Sequence, residues 1–380
     1  SQDFSKIQGR FNTRLSLSSA NADEVIKKRL LEKNDTGKDA VQLLYTSEVK
    51  ASLRNKINFS DGTISLKKYD TLKDFSEFYP MIPYQLDLLQ QVFTKIRENS
   101  SAGKHFASGE RNLLGAVQYA ALEYAEKDLG ILIPFQTFYG HLDQGLDHSV
   151  RATIIKAQST PTLQSFDVDV LKVLYLIRYL KSVPSTVENI TTLMLDELDA
   201  DRLKLTENIT AALDRLTKEY LVQRTGLEYL FLTNEEQDIN REINHMDIPT
   251  SKMQSYIGEM IYDTVLEMKK YKYVPFAEKK TVAYDFDCAK WIDESARGNA
   301  TAEIGIHVVT PYSDDYRTRE ELQQLSSRES RLVIALGDSG TFYDDTMMLL
   351  KINEYLRSQS SKQNSGIKRE IIDRNSNERN

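Results

Sequence analysis

Between Asp167 and Asn234 the chain lays down three helix-length patterns and then one alternating stretch, and few folds accept that order. "DVDVLKVLYLIRYL" is apolar on most of its surface, which suits a helix buried among others. "PSTVENITTLML" gives a short helix with Pro184 and Ser185 at its start. "TENITAALDRLTKEYL" gives a third helix, with Thr206 as candidate N-cap. "LVQRTGLEYLFLTN" then alternates as a hairpin does, turning at Thr225-Gly226. Three helices followed by a hairpin predict a winged helix over residues 161–245.

The residues on either side sort around that unit. Residues 1–34 hold a helical turn, a strand at Thr13–Leu17 and a helix through Lys33. Residues 35–160 read as a helical body. It contains a helix near Lys38–Asn55 and a strong one at Gln85–Arg97, with Leu86, Leu89, Val92, Phe93 and Ile96 on one stripe. Further helix is expected over 129–158. After the hairpin, a helix near Ser251–Tyr271 links to strands at Thr281–Phe286, Glu303–Thr310 and Arg331–Leu336, and then to a helix at Phe342–Arg357. The linker is taken as 246–275, the small α/β domain as 276–357 and a polar tail as 358–380. The fold class is mostly α with α/β.

Composition removes several function classes. A single cysteine, Cys288, excludes a disulfide framework and any multi-cysteine metal site. No run of 18 apolar residues marks a membrane span. The start lacks a signal-peptide pattern, so the chain is expected to be an internal piece of a longer cytoplasmic protein. The formal net charge of −7 opposes a dominant nucleic-acid surface. The hairpin unit repeats this bias: from Asp167 to Glu235 there are twelve acidic and eight basic residues. Arg215 and Lys218 on its third helix and Arg224 in the wing are the candidate DNA or partner contacts.

Other motifs carry less. "GDSGT" at Gly337–Thr341 shares four letters with a protease nucleophile but lies between a strand and a helix. It also lacks the lysine of a P-loop, and no P-loop occurs in the chain. His141, Asp143, Asp147 and His148 in "HLDQGLDH" fit no metal-ligand spacing, and no metal site is expected. Asp285, Asp287 and Glu303 sit as nuclease carboxylates can, without the lysine that should follow.

In "SGERNLLGAVQYA", Gly109, Glu110 and Arg111 open a helix. A glutamate suits the positive helix end, whereas an arginine is opposed by the dipole. The order of elements resembles the ORC/Cdc6-like branch of AAA+ ATPases, whose lid helix opens with Gly-Asp-x-Arg and carries a sensor-2 arginine. The resemblance implies that Arg111 contacts nucleotide, aided by Gly109 and Glu110, and that Arg10 in "GRF" is an arginine finger for a neighbouring subunit. It also implies an ATPase-core end (1–34), a lid (35–160) and the winged helix.

"RFNTRLSLSSANADEVIKKRLLEK", "FYPMIPYQLDLLQQVFTKIRENSSAGKHFASGERNLLGAVQYAA" and "IGIHVVTPYSDD" further resemble the BREX phage-defence P-loop ATPase family, BrxC and PglY. That implies ATP and Mg as cofactors of the full-length protein. It also implies homo-oligomerisation, BREX partners that include a DNA methyltransferase, and DNA reached through the complex. Without a P-loop, this chain is expected to be inactive alone. A non-catalytic winged-helix DNA-binding or scaffold module is the alternative.

Overall fold

The computed structural model describes residues 19–60, 67–99, 109–143, 146–267, 270–274, 284–302, 304–314, 318–337 and 342–358, without the side chains of 19–21 and 109–111. The strand expected at Thr13–Leu17 lies outside these residues. The chain divides into two compact units, Ser1–Asp238 and Ile239–Asn380. It is mostly helical, with a small mixed sheet in the second unit.

The first unit begins with α1 (Ser19–Val25), prolonged by a π-turn, Ile26–Leu30. The helix expected near Lys38–Asn55 is instead two, α2 (Asp35–Leu44) and α3 (Ser47–Lys56). Thr46 breaks it, because its side chain accepts the Val49 N–H and caps the second helix. α4 (Leu72–Phe78) is closed by a Thr71/Asp74 capping box, and α5 (Tyr84–Asn99) carries the expected stripe. α6 (Gly109–Glu123) follows, then a 3₁₀ turn (Phe135–Phe138), α7 (Tyr139–Leu142) and α8 (His148–Ser159).

The hairpin segment has the expected order. α9 (Ser165–Ile177), α10 (Val187–Leu193) and α11 (Arg202–Lys218) precede strands β1 (Val222–Thr225) and β2 (Glu228–Phe231). The third helix starts earlier than Thr206. Asp201 caps it by accepting the Leu203 and Lys204 N–H groups, and Thr206 sits inside, donating its hydroxyl to the Arg202 carbonyl. β1 and β2 pair antiparallel with Thr225 opposite Glu228, which leaves a two-residue loop. Gly226 holds its first position at φ +59°, a conformation glycine adopts without steric cost.

One apolar core fills this unit, from Ala22 to Phe231. The long motif "FYPMIPYQLDLLQQVF" is largely core. Phe78, Met81, Ile82, Tyr84, Leu86, Leu88 and Leu89 are all buried. Gln85, also fully buried, accepts the Ile82 N–H at 2.9 Å and donates to the Ile133 carbonyl at 2.6 Å, so its amide offsets the cost of burial.

α12 (Asn234–Asn244) spans the division between the units. In the second unit α13 (Thr250–Glu259) continues as a π-turn, Met260–Val265, and stops there. The expected helix through Tyr271 is therefore cut short, and Tyr271 lies in β3 (Lys270–Tyr273). The remaining elements are β4 (Tyr284–Ile292), β5 (Ser295–Arg297), β6 (Ile304–Val309), α14 (Arg319–Glu329), β7 (Arg331–Ala335) and α15 (Phe342–Arg357). The order is β3-β4-β6-β7, with β5 also on β4. β4, β6 and β7 run parallel; β3 and β5 are antiparallel to β4. Ile292, Val308 and Ile334 pack with Met253, Ile257, Tyr262, Tyr343 and Leu350 from the helices.

Candidate functional site

The proposed nucleotide contact rests on α6. Leu113, Ala116, Val117 and Ala120 are fully buried at helical spacing, while Leu114 and Ala121 are half-buried. That face packs on α1 and its π-turn, on α5 and on α7. Two glycines bring α6 and α7 close. A Cβ on Gly115 would stand 2.5 Å from His141 Cε1, and one on Gly140 would stand 2.4 Å from Tyr119 Oη. The backbone is helical from Gly109, and an α-helix leaves its first four N–H groups without intrahelical acceptors. The side chains of Glu110 and Arg111, and all of Arg10, lie outside the described residues.

The basic residues of the hairpin segment are placed differently from one another. Arg215 faces inward. Its Nε donates to Asp167 Oδ2 at 2.8 Å and its NH2 to Oδ1 at 2.6 Å. Asp167 is fully buried in the first turn of α9, where it also accepts the Gln164 N–H at 2.9 Å. The carboxylate beside Arg215 holds its guanidinium pKa above the ordinary value. Lys218 is exposed in the last turn of α11. Arg224 is exposed on β1; its Nε donates to the Gly226 carbonyl and its guanidinium stands 6.0 Å from the Tyr229 ring centroid. The exposed face of α11 mixes Lys204 and Lys218 with Glu207 and Asp214, so no net positive face is presented.

Sequence reasoning missed the polar groups that bind the hairpin segment to the helices before it. Asn189, fully buried, accepts the Ser60 N–H at 2.8 Å and donates to the Ser60 carbonyl at 3.3 Å. Arg202 donates to the Lys56 and Glu188 carbonyls and to Thr192 Oγ1. Ser60 and Lys56 lie over a hundred residues before Asn189 and Arg202, beyond the reach of any spacing rule.

In the second unit "IGIHVVTPYSDD" forms a lock at the carboxyl ends of the parallel strands. Asp293 turns from β4 to β5 at φ +47° and accepts the Thr310 N–H at 2.6 Å and its hydroxyl at 2.9 Å. Burial pushes the Asp293 carboxyl pKa up, and hydrogen bonds from Thr310 and Gln254 pull it back. His307 Nε2 lies 2.7 Å from the Asp293 carbonyl oxygen, and Glu294 accepts from Ser313 Oγ at 2.6 Å and the Asp314 N–H at 2.9 Å. Each group except His307 Nδ1 has a partner, so the lock is structural in character.

The weaker motifs gain no chemistry. His141 lies against Gly115, its pKa lowered by burial, and Asp143 accepts from the Tyr139 hydroxyl. Asp287 pairs with Lys270 at 3.3 Å, and Glu303 lies outside the described residues, as do residues 338–341 of "GDSGT". Among the described residues no cluster of histidine, cysteine and carboxylates could hold a metal ion, and no helix is long and apolar enough to cross a membrane.

Residues 246–380 match the family model described as the fourth domain, with six-stranded β-sheet, of the BREX ATP-binding protein BrxC. The chain carries a domain of the BrxC family over these residues. A BrxC-family domain implies a role in BREX antiviral defence. The matched segment takes in α13, the five described strands of the sheet, α14 and α15. No solved structure matches the chain.

Proposed function

We propose that the residues before this BrxC fourth domain are the end of an AAA+ core (1–34), its helical lid (35–160) and a winged helix (161–245), which together couple ATP turnover to assembly of a defence complex acting on DNA. The observation that carries the reading is the family match. Residues 246–380 correspond to a late domain of a protein described as ATP-binding, and the helical body with its three helices and hairpin precedes that domain directly. In this reading ATP and Mg bind to the full-length protein, Arg111 contacts the nucleotide from the first turn of α6 with Gly109 and Glu110 beside it, and Arg10 completes a neighbour's site in a homo-oligomer. A guanidinium suits a phosphate because it offers several donors in one plane. Other BREX proteins, including a methyltransferase, are the partners.

The test uses the full-length protein. Arg111→Ala should leave circular dichroism unchanged and lower both ATP turnover and protection from phage. Arginines that contact the transferred phosphate contribute roughly 10³–10⁵-fold in phosphoryl-transfer enzymes, and a lid arginine should fall below that range. Wild-type turnover and protection in Arg111→Ala would refute the assignment.

A second reading, a non-catalytic scaffold role for the hairpin segment, is favoured by Arg215. Its guanidinium is occupied by Asp167, which leaves Lys218 and Arg224 as the basic contacts there. Within the first reading, the same observation favours protein contact over duplex contact for the winged helix.

A further inference from the structure

α8 is basic along its whole length: it holds His148, Arg151 and Lys156 and no carboxylate. Val150, Thr153, Ile154 and Ala157 are buried and fix its inner face. On the outer face His148, Ala152, Ile155 and Ser159 recur at i, i+4, i+7 and i+11, which aligns them in one stripe about 16 Å long. The same periodicity sets Arg151 on one flank of the stripe and Lys156 on the other. A groove of about 450 Å³ lies on this stripe, lined among the described residues by His148, Arg151, Ala152, Ile155, Lys156 and Ser159. Ile155, near its middle, is 58% exposed. Arg151 NH2 stands 3.5 Å from Asp143 Oδ2, a pair open enough to water to hold the guanidinium only loosely. Lys156 Nζ donates to Gln237 Oε1 at 2.8 Å.

We infer that this groove is the docking site for an acidic amphipathic helix of a partner protein. Its apolar side chains cover Ala152 and Ile155, and its carboxylates reach Arg151 and Lys156. Three observations select that occupant. First, the charge is complementary: the described lining carries cations on both flanks and no carboxylate, in a chain of net charge −7. Second, the floor between the cations is apolar, with Ile155 more than half exposed. A polynucleotide or a small dicarboxylate could use the cations but would leave that floor in water, whereas an amphipathic helix uses both. Third, the surface is a helix three turns long, whose interior backbone groups are bonded within it. It offers an extended peptide no main-chain partners, while a second helix brings its own backbone bonds and needs only side-chain contact. The proposal uses neither α6 nor the hairpin segment and stands apart from their assignments.

The test is fluorescence anisotropy with the 380-residue chain and two labelled, helix-stapled peptides. Both carry leucine at i, i+3 and i+7; one has glutamate at the remaining outer positions and the other lysine. Binding of the glutamate peptide, well above the lysine peptide and weakening with added salt, is expected. Ile155→Ala should weaken it by roughly 5- to 30-fold, the range that burial of an exposed isoleucine supplies. Arg151→Ala and Lys156→Ala should each weaken it by roughly 2- to 10-fold and flatten its salt dependence. A benzophenone on the glutamate peptide gives a readout on the wild-type chain, independent of variant folding, with adducts expected on α8. The idea is wrong if the glutamate peptide does not bind, if the lysine peptide binds equally well, if Ile155→Ala binds as wild type, or if the adducts map elsewhere. Oligo-dT competing the peptide away, or a dimer that Ile155→Ala dissolves, would also overturn it and give the groove to a polyanion or to a second copy.

Discussion

Replacing Arg215 with alanine should destabilise the first unit more than replacing its partner Asp167 with asparagine, and the inequality follows from burial. Asp167 is fully buried, while the Arg215 side chain keeps 31% of its exposure. Removing one member of a fully buried ion pair costs about 3–5 kcal/mol, chiefly because the other charge is left without compensation. Here the orphan would be the carboxylate, which retains only the Gln164 N–H. Allowing for that bond and for water reaching the vacated guanidinium site, the cost of Arg215→Ala is about 2–3 kcal/mol. In Asp167→Asn the orphan is a guanidinium already near solvent, and asparagine can still cap the helix, so about 1 kcal/mol is expected. The double variant should cost less than the sum, with a coupling of about 1–2 kcal/mol. Urea unfolding separates the units conveniently. Trp291 is the sole tryptophan and lies on β4 of the second unit, whereas among the described residues eleven α-helices lie wholly within the first unit. Far-ultraviolet dichroism should therefore shift while tryptophan fluorescence holds still. If Arg215→Ala falls within about 0.5 kcal/mol of wild type, or below Asp167→Asn, the account of the pair is wrong.

Two further substitutions probe the helices around α6. Burial lowers the Lys33 amine to about 8 from 10.5, so the folded state binds that proton less tightly than the unfolded state does. The resulting penalty is complete at pH 7 and fades as pH rises from about 8 toward 10.5; with the amine still partly solvated, Lys33→Met should stabilise by about 1 kcal/mol at pH 7. Urea midpoints at pH 7 and 9.5 check this, and an advantage that fails to narrow at the higher pH counts against it. Gly115→Ala would drive a Cβ into His141 and should cost about 1–3 kcal/mol despite alanine's better helix propensity. Thermal melts of Gly115→Ala, alone and with His141→Ala, decide: a stabilised single variant, or no recovery in the double, removes the close approach as the cause.

What the sequence discloses is mostly what a local pattern can carry. α5 and α15 show their apolar spacing over four turns, and the hairpin announces itself through Thr225-Gly226. Local cues were also present where the expected boundaries missed. Thr46 is a cap inside what looks like one long helix, and Thr318 with Glu321 forms a capping box that starts α14, for which no helix was expected. β3 is different in kind. "KYKY" has no apolar alternation and becomes a strand through the partner it meets in β4. The site residues divide in the same way. Arg224 and Lys218 can be picked out as exposed basic residues, but the role of Arg215 depends on Asp167, 48 positions earlier, which nothing in their spacing connects.

Within the first unit long-range bonds tie the hairpin segment to the helices before it. Asn189 and Ser60 exchange two hydrogen bonds, Lys56 Nζ donates to the Leu198 carbonyl at 2.9 Å, and Leu198 N and Leu132 N donate to the Gly130 and Asp196 carbonyls. Arg178, almost fully buried, grips Glu236 at 2.7 and 3.0 Å and also donates to the Phe231 carbonyl. These contacts close over the same apolar core that receives Leu113, Val117 and Ala120 of α6. A densely packed core changes between discrete arrangements rather than stretching. If α6 answers to a nucleotide as proposed, its displacement cannot be absorbed between α8 and α9 without opening buried polar pairs. On that reading the hairpin segment moves with α6 as one body, and a signal that begins at phosphate leaves the unit at the surface of α11 and the β1–β2 hairpin.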